Sequence, residues 1–328
     1  AAYMDIDHPE IEEFIAMRKT TGGDLNRKCL NLHNGVNITN EFLDAVKENK
    51  EWRLIDPKSK EAIKNVSARD LWWQLLHTRS ETGEPYIVNV DNCNDALPQQ
   101  QKDLGLEVKQ SNLCSEITLP TNEERTAVCC LSSVNLEKFD DWSKDEQFIE
   151  DLVTMLDNVL EQFIESAVDT VAYTLSSYRA NADRFKNYIK EDRNAYRKSA
   201  FSAYRERSIG LGAMGFHSYL QSKAIPFEGL RATSINHQVF KHIKEKAVAA
   251  STKLGSDRGE APDMVGSGLR NAHLLAVAPN ASSSIICNGT SPSIEPSRAN
   301  VYTHKTLSGS YKVQNKHLKN LFESKNKN

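Results

Sequence analysis

Several features that would assign a protein by composition alone are missing from this sequence. No apolar run in the 328 residues approaches the roughly 20 that a membrane-spanning helix needs, so no membrane partner is expected. Neither sign of charge dominates: 41 Lys and Arg against 44 Asp and Glu leave a formal charge of -3. That balance supplies no general attraction for nucleic acid or anionic lipid. The opening stretch, Ala1 to Phe14, has neither a basic leader nor an apolar core, so no secretory signal is expected in it. Internal repeats and low-complexity linkers are also absent, and no domain boundary is expected. Metal-ligand spacing is missing too, because Cys129 and Cys130 are adjacent rather than separated as C-x-x-C and no histidine lies close in sequence. Six cysteines in so long a chain do not form the pattern of a secreted disulfide framework. A reducing cytoplasm is the expectation, and clustered thiols there become candidates for chemistry.

What is present concentrates between Ser111 and Leu136, which holds Cys114, Cys129 and Cys130 together with Glu116. In an extended backbone, residues two apart point to the same side. Asn112, Cys114 and Glu116 would then place an amide, a thiol and a carboxyl group on one face. A neighbouring carboxylate raises a thiol pKa, so Glu116 suits proton abstraction better than thiol activation. A thiol kept protonated beside a base fits one-electron chemistry, in which a hydrogen atom moves. The competing account is a buried structural thiol. For Cys29, Cys93 and Cys287 a small buried residue is the whole expectation.

Around this stretch the apolar pattern predicts alternating helices and strands, hence an α/β architecture. A helix is expected over His8–Lys19, with Pro9 at its first position, and a strand over Asn31–Ile38. A helix capped at Thr39 or Asn40 follows. Ser67 with Asp70 predicts a capping box, Gly83 a helix end, and Tyr86–Val90 a buried strand. Ser143 with Glu146 predicts another capping box, opening a helix that carries Ile149, Val153, Leu156 and Leu160. A further helix over Ile235–Leu254 is expected to stop at Gly255. His237 and His242, five apart, are expected on its surface. Residues 174–200 mix aromatics with Arg and Lys and predict amphipathic helices at the periphery rather than a nucleic-acid surface.

Two further sites carry chemistry by their spelling. His273–Ala278 predicts a buried strand running into Pro279, Asn280, Ala281, Ser282, Ser283 and Ser284, a small polar run before a helix. Free backbone N–H groups and hydroxyls there would bind phosphate, although an ordinary serine-rich cap accounts for the same residues. Gly210, Gly212 and Gly215 match a dinucleotide fingerprint only by letters. YRERS before them is no buried strand, and close helix packing is expected instead.

The runs Asn112 to Ile117, Ala127 to Ser133 with Asn135-Leu136, Arg205 to Gly212, Pro279 to Ser284 and Ile294-Glu295-Pro296 occur in one order. In that order they resemble the catalytic core of the ribonucleotide reductase large subunit. The resemblance implies a ten-stranded α/β barrel, here partial, with Cys114 at the tip of a central finger loop. Cys114 would carry a thiyl radical that takes the substrate 3′-hydrogen, Glu116 would take the 3′-hydroxyl proton, and Asn112 would hydrogen-bond the substrate or Glu116. Cys129 falls on the family's disulfide-forming redox cysteine, and Asn280 to Ser284 would hold the diphosphate of a ribonucleoside diphosphate. No cofactor is implied on this chain and no metal. The radical would come from a metal-containing small subunit, reducing equivalents from thioredoxin or glutaredoxin, and regulation from ATP and deoxynucleotide effectors on a homodimer of the complete subunit.

By the same resemblance the second redox cysteine and the effector regions precede Ala1, and the radical-pathway tyrosines and cysteine tail follow Asn328. The expectation is an incomplete barrel that does not turn over alone. Two alternatives accompany it: a fragment of a class II, cobalamin-dependent reductase, and a non-catalytic remnant that binds nucleotides or a partner.

Overall fold

The computed structural model describes residues 1–167 and 195–325, within two compact units, Ala1–Glu123 and Glu124–Asn328. In the first unit β1 (Ala2–Asp5), β2 (Asn34–Ile38), β3 (Glu51–Ile55), β4 (Ala62–Ser67) and β5 (Tyr86–Asn89) make two sheets. β1, β2 and β5 are parallel in that order, with Ala2 opposite Asn34 and Gly35 opposite Tyr86, while β3 and β4 form an antiparallel hairpin. Every residue of β2 is buried, as expected of a central parallel strand covered on both faces. Helices Ile11–Ala16, Asn40–Lys47 and Ala68–Thr82 supply the crossovers. Their apolar faces meet Ile6, Val36, Ile38 and Leu54 in one core.

Local chemistry fixes the ends of these helices. Thr39 Oγ1 accepts from the Phe42 N–H at 3.2 Å and Ser67 Oγ from the Asp70 N–H at 3.2 Å, each satisfying a donor that the helix leaves open. Gly83 ends the third helix in the left-handed conformation, φ 82°. The first helix is shorter than its pattern suggests. Pro9 lies outside it, because the turn is started by His8, whose Nδ1 accepts from the Glu10 N–H and whose carbonyl accepts from Ile11. At the other end Arg18 and Lys19 turn to Glu84 and Glu81 rather than prolonging the helix.

The second unit contains β6 (Cys130–Asn135), β7 (Ile209–Met214), β8 (Val301–Thr306) and β9 (Gly309–Gln314). β6 and β7 are parallel, from Cys130 opposite Ile209 to Asn135 opposite Met214, and β8 with β9 is an antiparallel hairpin. Helices Phe148–Ala167, Ala195–Glu206 and Leu230–Arg258 bury Ile149, Val153, Leu156, Leu160, Phe201, Ile243 and Ala247 in one core with β7 residues Ile209 and Leu211.

Here several expectations are corrected. Gly210 to Met214 of the run GLGAMG lie in β7 itself, with Gly215 capping the helix that follows, so the close packing at Gly210 and Gly212 is of a strand and not a helix. A Cβ at Gly210 would overlap Leu131 and Ala276, and one at Gly212 would overlap the Ala276 carbonyl. His273–Ala278 adds only a bridge from Leu275 to Leu211; a backbone bond runs from the Ala276 N–H to the Leu211 carbonyl at 3.3 Å, and Pro279 has no N–H to continue the ladder. Ser143 closes the preceding helix Phe139–Trp142, its N–H bonding back to the Phe139 carbonyl at 3.0 Å. Asp145 instead accepts from the Gln147 N–H at 2.9 Å just before the helix that begins at Phe148. Gly255 lies inside its helix, where a Cβ would overlap the Gly268 carbonyl, and the helix ends only at Gly259, φ 87°. His237 is exposed as expected, but His242 is half-buried, edge-on to Phe139.

Among the described residues the sheets hold three, two, two and two strands, and none closes into a barrel. The expectation is of a partial barrel, and the parallel β1-β2-β5 and β6-β7 sheets with their covering helices are α/β. Most of the basic–aromatic segment expected about 174–200 lies outside the described residues. Its end belongs to the helix Ala195–Glu206, in which Ala200 is buried. Among the described residues no helix is long and apolar enough to cross a membrane.

Candidate active site

Ser111 to Ile117 is a turn, not the extended run that alternation suggested. The Ser115 N–H bonds the Asn112 carbonyl at 3.2 Å, and Ser115 adopts the left-handed conformation, φ 62°. Asn112 Oδ1 accepts from the N–H groups of Glu116 and Ile117 at 3.1 and 3.2 Å, while Ser111 Oγ donates to the Ile117 carbonyl at 2.6 Å. Asn112, Cys114 and Glu116 are thus gathered in one place, by a hydrogen-bonded turn instead of a strand face. Asn112 does bond Glu116, but through its backbone.

The thiol stands at the tip, exposed and unpaired in any disulfide. Desolvation by its surroundings and then the charge of Glu116 raise the Cys114 pKa, so it is a thiol rather than a thiolate near neutral pH. Glu116 Oε2 is buried, and among the described residues it has no hydrogen-bond partner. A buried carboxylate oxygen in that condition carries a desolvation cost that a donor would remove. The pair can hold one proton on sulfur and accept another on oxygen.

The other expected residues lie in the second unit. Cys129 is exposed immediately before β6, and Cys130 is the first residue of that strand, its pKa raised by burial and by Cys129. Asn280 is buried, its Nδ2 donating to the carbonyls of Ala278 at 2.8 Å and Ala213 at 3.4 Å. Ala281, Ser282 and Ser283 are exposed, whereas Ser284 is buried with its N–H on the Asn280 carbonyl at 2.9 Å. The short helix Ser283–Ile286 has no side-chain cap, so the hydroxyl of Ser282 is not spent there. Cys129 lies just before the Cys130–Ile209 pair at the start of β7, whereas Asn280 bonds Ala213 near the end of that strand.

The family described as "Ribonucleotide reductase, barrel domain" matches residues 1–267 and 261–328. The chain belongs to this family. A protein of Frog virus 3 (isolate Goorha), provisionally described as a ribonucleoside-diphosphate reductase large subunit, is 48% identical over 324 residues, covering 99% of this chain and 53% of its own. The ribonucleoside-diphosphate reductase large subunit of Invertebrate iridescent virus 3 is 42% identical over 379 residues, 99% of this chain and 56% of that one. Among solved structures, the Actinobacillus ureae class Id ribonucleotide reductase alpha subunit aligns with TM-score 0.78 and 33% identity, over 99% of this chain and 52% of that one. The chain therefore spans about half the length of the relatives it matches. Family and structural neighbour together establish a barrel-type α/β fold, of which this chain forms part.

Within this ribonucleotide reductase domain the structure also brings together residues that no spacing marked. Tyr3 on β1 contacts the cysteine turn at Asn112 and Ser115. In the second unit Glu206, Ser208 and His273 are joined through Ser208 Oγ, 3.1 Å from Glu206 Oε2 and 2.9 Å from His273 Nδ1. Burial raises the Glu206 pKa to about 7 and lowers that of His273 to about 4. The charged spelling of RERS was visible in the sequence; its burial was not.

Proposed function

We propose that residues 1–328 are one incomplete catalytic barrel of a class I ribonucleoside-diphosphate reductase large subunit, an oxidoreductase that provides DNA precursors. The observation that carries this reading is the pairing of a protonated thiol, Cys114, with a buried carboxylate oxygen of Glu116 that lacks a partner. A thiol in that state has a hydrogen atom to give up, and the carboxylate can take the proton of a substrate hydroxyl.

In this reading a radical generated in a metal-containing small subunit removes the hydrogen atom from Cys114. The resulting thiyl radical takes the 3′-hydrogen of a ribonucleoside diphosphate, and Glu116 takes the 3′-hydroxyl proton. The 2′-hydroxyl, protonated by a thiol, leaves as water. Two thiols then supply the two electrons, delivering a hydrogen to C2′ and becoming a disulfide, while Glu116 returns its proton to the 3′-oxygen; Cys129 is one of the two thiols, and thioredoxin or glutaredoxin reduces the disulfide afterwards. Returning the hydrogen atom from Cys114 to C3′ regenerates the thiyl radical. Asn112 holds the turn and leaves its amide nitrogen for substrate. Asn280 to Ser284 receive the diphosphate through the exposed backbone of Ala281 to Ser283. ATP and deoxynucleotide effectors, a homodimer and a cytoplasmic location belong to the complete subunit. No metal is held by the residues assigned.

The cobalamin-dependent alternative is not favoured, because the solved relative is a class Id alpha subunit and the curated relatives are ribonucleoside-diphosphate reductase large subunits. The non-catalytic reading is separated by mutation. In an enzyme reconstituted with the remaining segments and a small subunit, Cys114→Ser should reduce turnover to background while leaving substrate Kd nearly unchanged. Retained turnover would remove the radical role.

A further inference from the structure

The turn that presents Cys114 is fastened from β1 by Tyr3. Its hydroxyl lies 2.6 Å from the Asn112 carbonyl oxygen and 3.0 Å from Ser115 Oγ. A phenol has one proton and a carbonyl only accepts, so Tyr3 donates to Asn112 and Ser115 donates to Tyr3. The phenol oxygen thereby ties the two residues that flank Leu113 and Cys114. The ring is placed independently of those bonds. Gly35 lies opposite Tyr3 in the β1–β2 register, and a Cβ there would overlap the ring. Absence of a side chain on β2 thus makes the slot in which Tyr3 stands. Ser115 needs such a tie, since φ 62° is unfavourable for a residue other than glycine.

We infer that Tyr3 is a positioning residue of the catalytic centre, holding the turn so that the Cys114 thiol stays beside the Glu116 carboxylate. Its importance for turnover rests on the reading of Cys114 and Glu116 given above, whereas its effect on the thiol does not. Freed from Tyr3, the turn would swing the sulfur away from Glu116, more thiolate would form, and Cys114 would react faster with electrophiles. Cys93, in the helix Val90–Asp95 of the same unit, reports any general loosening.

The experiment is peptide-resolved alkylation by iodoacetamide of the full 328-residue chain, with the Cys114 rate divided by the Cys93 rate. Tyr3→Phe keeps the ring in its slot and removes both bonds, and should raise that ratio about fivefold, the population change controlled by roughly one net hydrogen bond. Ser115→Ala removes one bond and should raise it about twofold. An unchanged ratio in folded Tyr3→Phe, or an equal rise at Cys93, overturns the inference. If Tyr3→Phe does not fold, an unchanged ratio in Ser115→Ala overturns it instead. In the reconstituted enzyme Tyr3→Phe should lower kcat with KM held. Should Cys114→Ser retain turnover, the functional reading fails while the alkylation result still decides the role of Tyr3.

Discussion

The two units hold their important segments by opposite means. In the first, the cysteine turn is tied by uncharged groups: a phenol, an amide and two serine hydroxyls. In the second, the start of β7 is bordered by buried charges. Asp157, fully buried, meets Arg207 at 2.8 Å, Arg258 at 3.1 Å and Arg270 at 3.4 Å, and Asp263 meets Arg125 at 2.5 Å and Arg205 at 2.6 Å. Burial alone would raise the Asp157 pKa, but the three arginines outweigh it and hold the carboxyl below its usual range. Charges suit a place where strands must not shift, because a broken buried pair is costly. Neutral bonds suit a turn that must present a protonated thiol, since a nearby fixed cation would favour the thiolate.

The comparison breaks most readily at Asp157. Asp157→Ala leaves three guanidinium groups without their shared carboxylate and should cost about 3–5 kcal/mol, read as a lower urea midpoint for the second unit. A smaller loss would mean that Glu161, 2.8 Å from Arg207, compensates.

Next in size is a pH effect within the same unit. Glu206, raised from 4.5 to about 7 by burial against the opposing pull of Ser202, Arg125 and Ser208, with Asp263 adding to the rise, contributes stability that is present below pH 4.5 and lost as pH climbs to about 7. His273, lowered from 6.5 to about 4 by burial, contributes stability that is present above pH 6.5 and lost as pH falls to about 4. Each is on the order of 3 kcal/mol across its window, and where the windows overlap the slopes oppose. Glu206→Gln should therefore unmask a stability that rises with pH between about 4 and 6.5, and His273→Gln one that falls between about 4.5 and 7. Parallel pH profiles for the two variants in chemical denaturation would contradict the assignment.

The smallest effect belongs to the turn. Asn112→Ala removes the oxygen that caps two N–H groups, and should cost about 1–2 kcal/mol. Faster hydrogen exchange at Glu116 and Ile117 is the readout, with the urea midpoint of the second unit unmoved.

What the sequence made legible followed from local chemistry. Thr39, Ser67 and Gly83 mark helix ends because a cap is decided within four residues, and Asn112, Cys114 and Glu116 could be grouped because they are neighbours. The manner of their grouping was not legible, since a turn capped by Asn112 Oδ1 and a strand place residues two apart differently. Tyr3 was invisible because its role depends on the register of β1 against β2 and on Gly35 across the ladder. Gly255 misled because a glycine near a helix end signals a stop, whereas here it admits the Gly268 backbone. The charges of RERS were plain, but their burial depends on Asp157 and Asp263, each some fifty residues away. The strand expected at His273–Ala278 shrank to one bridge because nothing local reveals where a ladder runs out of partners.

The β8–β9 hairpin has a consequence for how the chain behaves in a tube. Nearly all of its residues are exposed, Val301, Tyr302 and Tyr311 among them, and Leu307 at its tip is entirely so. A lone two-stranded ribbon is marginal in water, and among the described residues no further strand pairs with either of its edges, which leaves backbone groups open to any passing strand. Concentrated samples should therefore self-associate through residues 301–314 before either core opens, and limited proteolysis should cut there first.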